Sequence, residues 1–235
     1  TLLCYGSTLW LLPFLREQVA YDPLRDFAPV AWLANSPSIL VVHPSLPARS
    51  VKELIALARA RPGELNYATG PSGTPLHLSA ELFKAMAKAD IVHVPYKGVS
   101  LALNDLIAGR VQLMFPTPGS VTQHVKSGRL RALAVTSARP SALLPGLPTV
   151  AASGLPGYES ISVFAIFAPA KTPAGIIQRI NQETLAVLKS AEVRERFLAA
   201  GVEPVGGTAA ELGALMKSET AKWGKVIRDA GLRAE

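Results

Sequence analysis

The stretch Leu65-Asn66-Tyr67-Ala68-Thr69-Gly70-Pro71-Ser72-Gly73-Thr74-Pro75 runs from an apolar strand through a glycine-punctuated turn into the start of a helix. From Pro75 the apolar residues Leu78, Leu82 and Met86 recur four apart, which predicts a helix to about Ala87. Residues 91–94 then read as a strand, and a short helix follows from a cap at Ser100 to a stop before Gly109. Residues 111–115 are a further apolar run. A helix capped by Ser120 and stopped at Gly128 leads to a last strand, residues 130–136. These four strands are joined by three helical crossovers, each too long for a hairpin, so they predict a parallel sheet with right-handed connections.

Upstream, Ser50 and Glu53 form a capping box for a helix to about Ala60, with Val51, Leu54, Ile55 and Ala58 on one face and Pro62-Gly63 as its stop. Downstream, Thr172-Pro173 opens a helix carrying Ile176, Ile177, Ile180 and Leu188. Thr208 and Glu211 make a second capping box, for a terminal helix with Leu212, Leu215, Met216, Trp223 and Ile227. Two extended apolar stretches, residues 39–43 and 161–168, flank the central sheet and are expected to cross between two lobes. Residues 43–164 are then a central α/β lobe, and residues 1–42 with 165–235 a terminal lobe. The expected fold class is α/β, two-lobed, with parallel sheets, flanking helices and a hinge. A cleft between such lobes is where small ligands commonly bind.

Composition fits this reading. Of 235 residues, 49% are hydrophobic and 17% charged, which describes a compact chain rather than a disordered one. Cys4 is the sole cysteine, so no intrachain disulfide can form. The apolar opening, residues 1–15, lacks a basic leader and is interrupted by Gly6, Ser7 and Pro13, so it reads as a buried strand plus turn. No stretch reaches the roughly 18 uninterrupted apolar residues of a membrane span, and a soluble protein is expected. The absence of an initiating Met suggests a processed or trimmed product whose signal peptide is not visible.

The net charge is +7, but basic residues are scattered and aromatics are only 6%, so no nucleic-acid partner is expected. Between Lys84 and Arg139, eight basic residues face only Asp90 and Asp105. This excess reads either as a solvated basic surface or as a field that draws small anions.

Phosphate-loop, dinucleotide and nucleophile-elbow motifs are absent. His43, His77, His93 and His124 are far apart in sequence and have no cysteine companions, so neither a metal nor another cofactor is expected. Acids are too few near strand ends to assign any catalytic residue. The loop from Thr69 to Thr74 suits an anion instead. It follows a strand of a parallel sheet, and the helix after it aims unpaired N–H groups and its positive dipole end toward the same crevice. Gly70 and Gly73 allow close approach, and the hydroxyls of Thr69, Ser72 and Thr74 can donate. The spacing equally fits an ordinary βα turn with Thr74 as N-cap and Pro75 at the first helical position, and the two readings are compatible. Tyr96-Lys97-Gly98 and Thr117-Pro118-Gly119-Ser120 should reach the same crevice, where Tyr96 and Lys97 either meet a ligand or lie in solvent. His77 reads as a packed or capping histidine. Gly6-Ser7-Thr8 repeats the strand-then-hydroxyl pattern in the terminal lobe.

These segments carry a resemblance. Leu46-Pro47-Ala48-Arg49-Ser50-Val51-Lys52-Glu53-Leu54, the loop from Asn66 to Thr74 with His77-Leu78, Val92-His93-Val94-Pro95-Tyr96-Lys97-Gly98 and Leu130-Arg131-Ala132-Leu133-Ala134-Val135-Thr136 resemble the Bug-type solute-binding proteins of tripartite tricarboxylate transporters. Pro148-Thr149-Val150, Gly154-Leu155-Pro156-Gly157-Tyr158 and Glu203-Pro204-Val205-Gly206-Gly207-Thr208 match as well, and the likeness covers the whole chain. It implies a periplasmic, two-lobed protein of the type II periplasmic-binding fold. Such a protein closes on a small carboxylate and presents it to membrane subunits of a transporter, without catalysis or cofactor and as a monomer. The loop Thr69, Gly70, Pro71, Ser72, Gly73, Thr74 resembles the family's carboxylate-gripping loop, and Ser7-Thr8 a ligand-facing loop of the terminal lobe. Thr117 stands where the family often has an acidic or amide residue, and Phe164 where an aromatic flanks the cleft.

Family members carry a further strand, a Gly-rich loop and a helix before the position matching Thr1. The expectation is that the sequence begins inside a longer chain. Were those elements truly missing, the terminal lobe would expose apolar sheet surface. The expected function is capture of a small carboxylate by backbone amides and hydroxyls, directly or through bridging water. The alternatives are an effector-binding module of a transcription regulator, which would need a helix-turn-helix that is not visible here, and an enzyme acting on a small acid.

Overall fold

Residues 1–232 are described by the computed structural model, and residues 233–235, the end of the expected terminal lobe, lie outside them. The chain opens with β1 (Leu3–Gly6), α1 (Thr8–Leu15) and β2 (Phe27–Pro37). It continues through β3 (Ile39–Val42), α2 (Val51–Ala60), β4 (Asn66–Thr69), α3 (Pro75–Ala87), β5 (Val92–Pro95) and α4 (Val99–Ile107). Next come β6 (Leu113–Met114), α5 (Pro118–Lys126) and β7 (Arg131–Val135). The last elements are β8 (Ile161–Pro169), α6 (Ala174–Leu188), α7 (Ala191–Ala199), β9 (Glu203–Gly207) and α8 (Ala209–Asp229). Two compact units result: Thr1–Ser36 with the chain from Ser162 onward, and Pro37–Ile161.

The Pro37–Ile161 unit holds a sheet in the order β5-β4-β6-β3-β7. β4 pairs in parallel with β5 and β6, while β3 runs antiparallel to both β6 and β7. The four strands read from the βα alternation therefore do point one way, but β3 is wedged between the last two of them. Residues 39–43 thus do not form an interlobe crossing. All four β3 residues are 0% exposed, and Ile39 and Val41 pack in a core with Ala68, Leu106 and Met114. An unbroken apolar run belongs in a sheet interior, where both faces are covered. The sheet is mixed rather than wholly parallel, and the chain changes unit after residues 36 and 161 instead of 42 and 164.

In the other unit the order is β1-β8-β2-β9, with β1 antiparallel to β8 and β2 antiparallel to β9. The expected crossing at residues 161–168 does contain a change of unit, between Ile161 and Ser162, and from Ser162 onward β8 is a strand of this unit. Along β8, Val163, Ala165 and Phe167 are buried and alternate with the exposed Phe164, as a strand covered on one face requires. The buried Asn181 on α6 donates from Nδ2 to the carbonyls of Val30 at 2.8 Å and Gly207 at 3.3 Å, tying the helix to β2 and β9.

Residues 8–15, expected as a turn, form a helix despite Pro13. Proline has no N–H for the carbonyl four residues earlier. The Tyr21 hydroxyl donates to that carbonyl, Leu9 O, at 3.0 Å, so the break is repaired from outside the helix. Both expected capping residues hold. Thr208 and Glu211 form the full reciprocal box on α8, whereas Glu53 accepts from the Arg49 amide at 2.6 Å while Ser50 caps α2.

Candidate functional site

Because β5, β4 and β6 are parallel neighbours, the loops after them leave one edge of the sheet, and α3, α4 and α5 begin there. Their N-caps are Thr74, Gly98 and Thr117. The caps expected at Ser100 and Ser120 thus move upstream. Pro118, with its fixed φ and missing N–H, takes the first position of α5, and the Ser120 hydroxyl turns back to the Thr117 carbonyl at 2.8 Å. None of the three helices has an acid in its first turn, whereas α2, α7 and α8 carry Glu53, Glu192 and Glu211 there. Among the described residues the amides of Ser72, Thr74 and Leu76 donate to no backbone carbonyl. The start of α3 therefore offers N–H groups and an uncompensated positive end.

The expected loop residues divide by role. Gly73 has φ 76°, a left-handed conformation that favours glycine, and its N–H donates to His77 Nδ1 at 3.1 Å. Gly70 is small for a different reason: a Cβ there would sit 3.1 Å from Val99 Cγ2 and 3.4 Å from the Val99 amide, so α4 rather than a ligand demands the close approach. Thr69 is 2% exposed, and its Oγ1 lies 2.8 Å from the Gly70 carbonyl and 2.6 Å from His93 Nε2, turned into the protein. Thr74 uses its hydroxyl as the cap of α3. Pro71 is exposed and Ser72 half-buried, at the outer part of the turn.

Tyr96 follows β5 and its amide donates to the Thr69 carbonyl at 3.0 Å, but its hydroxyl is committed to Asp105 Oδ2 at 2.7 Å. Tyr96 and then Arg110, which lies 2.9 Å from Oδ1, hold the Asp105 carboxyl below the usual carboxylate range. Thr117 is exposed at the head of α5. In the other unit the β1–β8 pairing gathers three expected residues. Ser7 is buried and donates its amide to Val163 O at 3.0 Å, Thr8 starts α1, and Phe164, 39% exposed, lies beside Gly6 in register. The expected residues thus form two sets, one in each unit.

Behind the loop lies a buried polar cluster in which His77, Glu81 and Lys84, four and three residues apart on α3, meet Tyr67 of β4 and His93 of β5. Glu81, 8% exposed, accepts from the Tyr67 hydroxyl and from Lys84 Nζ at 2.8 Å. His77 is buried, as a packed histidine should be, and its ring stacks on His93 with centroids 4.0 Å apart. His93 in turn stacks on Tyr67 at 4.8 Å. Burial, then the neighbouring His93, lowers the His77 pKa to about 4, so the ring is neutral near pH 7. His93 was missed as a loop contact because it arrives through the register Tyr67 opposite His93, across a crossover helix. Among the described residues no group of three or more His, Cys, Asp or Glu side chains could hold a metal ion.

The two α/β units, joined where the chain passes twice between them, share their fold with a Polaromonas solute-binding protein (TM-score 0.87, 20% identity, 97% of this chain and 77% of that one). The tripartite tricarboxylate transporter family receptor matches residues 1–232, and the chain belongs to that family. It is 38% identical, over all of its length and 70% of the relative's, to a protein encoded in the tcbD-tcbE intergenic region of Pseudomonas sp. strain P51. It is 36% identical to BugT of Bordetella pertussis over 93% of this chain and 67% of that protein. Among solved structures it resembles R. palustris Rpa4515 with adipate (TM-score 0.81, 38% identity, 99% of this chain and 78% of that one). It also resembles MatC from Rhodopseudomonas palustris with bound malate (TM-score 0.73, 26% identity, 97% and 79%). Among the described residues no helix is long and apolar enough to cross a membrane.

Proposed function

We propose that this protein is an extracytoplasmic, periplasmic receptor that captures a small organic carboxylate and delivers it to the membrane subunits of a tripartite tricarboxylate transporter, binding its ligand without converting it. The observation that carries the reading is the start of α3. There the Ser72, Thr74 and Leu76 amides lie outside the backbone hydrogen-bond pattern, at a helix end with no acid to neutralise it. A carboxylate supplies acceptors for such donors and opposes the helix dipole, which a neutral ligand does not. α4 and α5 begin at the same sheet edge, also without first-turn acids. The Thr69 hydroxyl proton is directed to the Gly70 carbonyl, whereas the Ser72 hydroxyl, in the same turn as those amides, and the Thr74 hydroxyl, whose oxygen accepts from His77, keep their protons to give. Adipate and malate, named with two related structures, are both dicarboxylates and are the first ligands to try.

A thermal-shift series of organic acids against their matched neutral amides tests the reading. The acids should raise the melting temperature and the amides should not. Equal stabilisation by the amides, or none by any acid, overturns it. Uptake of labelled adipate into vesicles carrying the membrane subunits should depend on added receptor.

A further inference from the structure

We propose that His77 is a positioning residue for the carboxylate loop: it holds the left-handed turn at Gly73 by accepting the Gly73 N–H, and must keep its Nδ1 unprotonated for the loop to bind ligand. The inference rests on the carboxylate reading of that loop. A neutral imidazole has one acceptor nitrogen. The 3.1 Å bond from the Gly73 amide assigns it to Nδ1 of His77, which leaves the proton on Nε2. That Nε2 is buried without a hydrogen-bond partner, 3.9 Å from Glu81 Oε1. At the other end of the loop, the Thr69 hydroxyl has one proton and directs it to the Gly70 carbonyl, so His93 Nε2 must be the donor in its 2.6 Å bond to Thr69.

The two ends of the turn, Thr69 and Gly73, are therefore held by two rings that stack on each other at 4.0 Å. The roles differ in what a proton does to them. A second proton on His93 leaves its Nε2 donor intact. A proton on His77 Nδ1 sets a donor against the Gly73 N–H and releases the end of the turn that adjoins Thr74, whose amide, like that of Leu76, lies outside the backbone hydrogen-bond pattern at the helix start. The titratable groups facing His77 are His93 on β5, Tyr67 on β4, and Glu81 and Lys84 on its own helix. Of these, His93 and Lys84 disfavour the imidazolium and Glu81 favours it, while burial disfavours it most. The ring consequently stays neutral until about pH 4.

The test compares wild type with His77→Asn, whose Oδ1 can accept from Gly73 but cannot titrate, and with His77→Phe, which keeps a ring for the stack and loses the acceptor. Adipate affinity is measured by calorimetry from pH 7 down to about pH 3.5, past the titration of the His77 ring, and exchange of the Gly73 amide by NMR, with circular dichroism as the folding check. At pH 7, Phe should bind adipate about five- to tenfold more weakly than wild type, the size of one lost hydrogen bond, and Asn close to wild type. On acidification wild type should lose more affinity than Asn, a difference that subtracts the ligand's own titration. Gly73 exchange should be fast in Phe and slow in wild type. Equal affinity and equal pH dependence in all three proteins overturn the proposal. If wild type binds neither adipate nor any other acid, the carboxylate reading is what fails; the hold on Gly73 is then decided by exchange alone, and equal exchange in Phe and wild type overturns it.

Discussion

The hydroxyl oxygens of Ser79 and Ser160 lie 2.7 Å apart in the interior of the Pro37–Ile161 unit, joining α3 to the segment that leads into β8. Ser79 gives its proton to the Pro75 carbonyl at 2.9 Å, so Ser160 is the donor of the pair. The Tyr158 hydroxyl donates to the Ser79 carbonyl at 2.9 Å, and the Ser160 amide donates to Thr136 O at 2.9 Å. Thr136 Oγ1 accepts the Ser38 amide at 2.7 Å. The helix that carries the candidate loop is thus tied to the residues next to both points where the chain changes unit.

Ser160→Ala should remove a donor from a buried pair and lower the unfolding free energy by about 1 kcal/mol, and Ser79→Ala by a similar amount. Because the two share one bond, the double variant should lose less than the sum. Urea denaturation of the four proteins measures this, and strict additivity would show that the pair is not coupled.

Glu81→Ala should be among the most damaging substitutions in this unit. It leaves the buried Tyr67 hydroxyl and the Lys84 ammonium without their acceptor. Breaking a buried charged contact from one side costs about 3 kcal/mol or more. Glu81→Gln, which retains an acceptor, should cost less. Chemical denaturation at pH 7 ranks the two, and equal stability of wild type and the Ala variant would refute the cluster's structural weight.

Stability should fall as pH falls from about 6.5 toward 4. The folded His77 pKa is about 4, below the ordinary imidazole value of 6.5, so between those values the unfolded chain binds more protons and acid favours unfolding. His93 is shifted in the same direction, by burial first. The His77 contribution is of order 3 kcal/mol, fully present above the unfolded value and lost as the ring protonates. Urea midpoints at several pH values should show this slope in wild type and a shallower one in His77→Asn. Parallel slopes would contradict it.

Ser72→Ala and Thr69→Val should separate contact from support. Ser72 has a hydroxyl proton to give to the ligand, so its loss should weaken adipate binding about fivefold with the melting temperature of the unliganded protein unchanged. Thr69 is turned inward to Gly70 and His93. Its replacement should lower the melting temperature of the unliganded protein. Calorimetry and thermal melts together distinguish these outcomes, and an unchanged affinity in Ser72→Ala would remove that residue from the site.

What the amino-acid order determined alone is what neighbours a few residues apart can decide. The caps at Thr74, Ser50 and Thr208 were legible because the donor and acceptor lie three residues apart. So was the βα alternation from β4 to β7, since helix and strand differ in short apolar periods. The insertion of β3 beside β7 was not, because Ile39 meets Val135 through hydrogen bonds between segments nearly a hundred positions apart, and an apolar run looks the same wherever it is buried. The site divides the same way. Sequence located the glycine turn and the helix after it. Only tertiary structure decided that Thr69 faces inward, that α4 crowds Gly70, and that His93 reaches the turn across a parallel strand pair. Hydroxyl direction and ring stacking follow from strand register, which non-local pairing sets and local spacing does not.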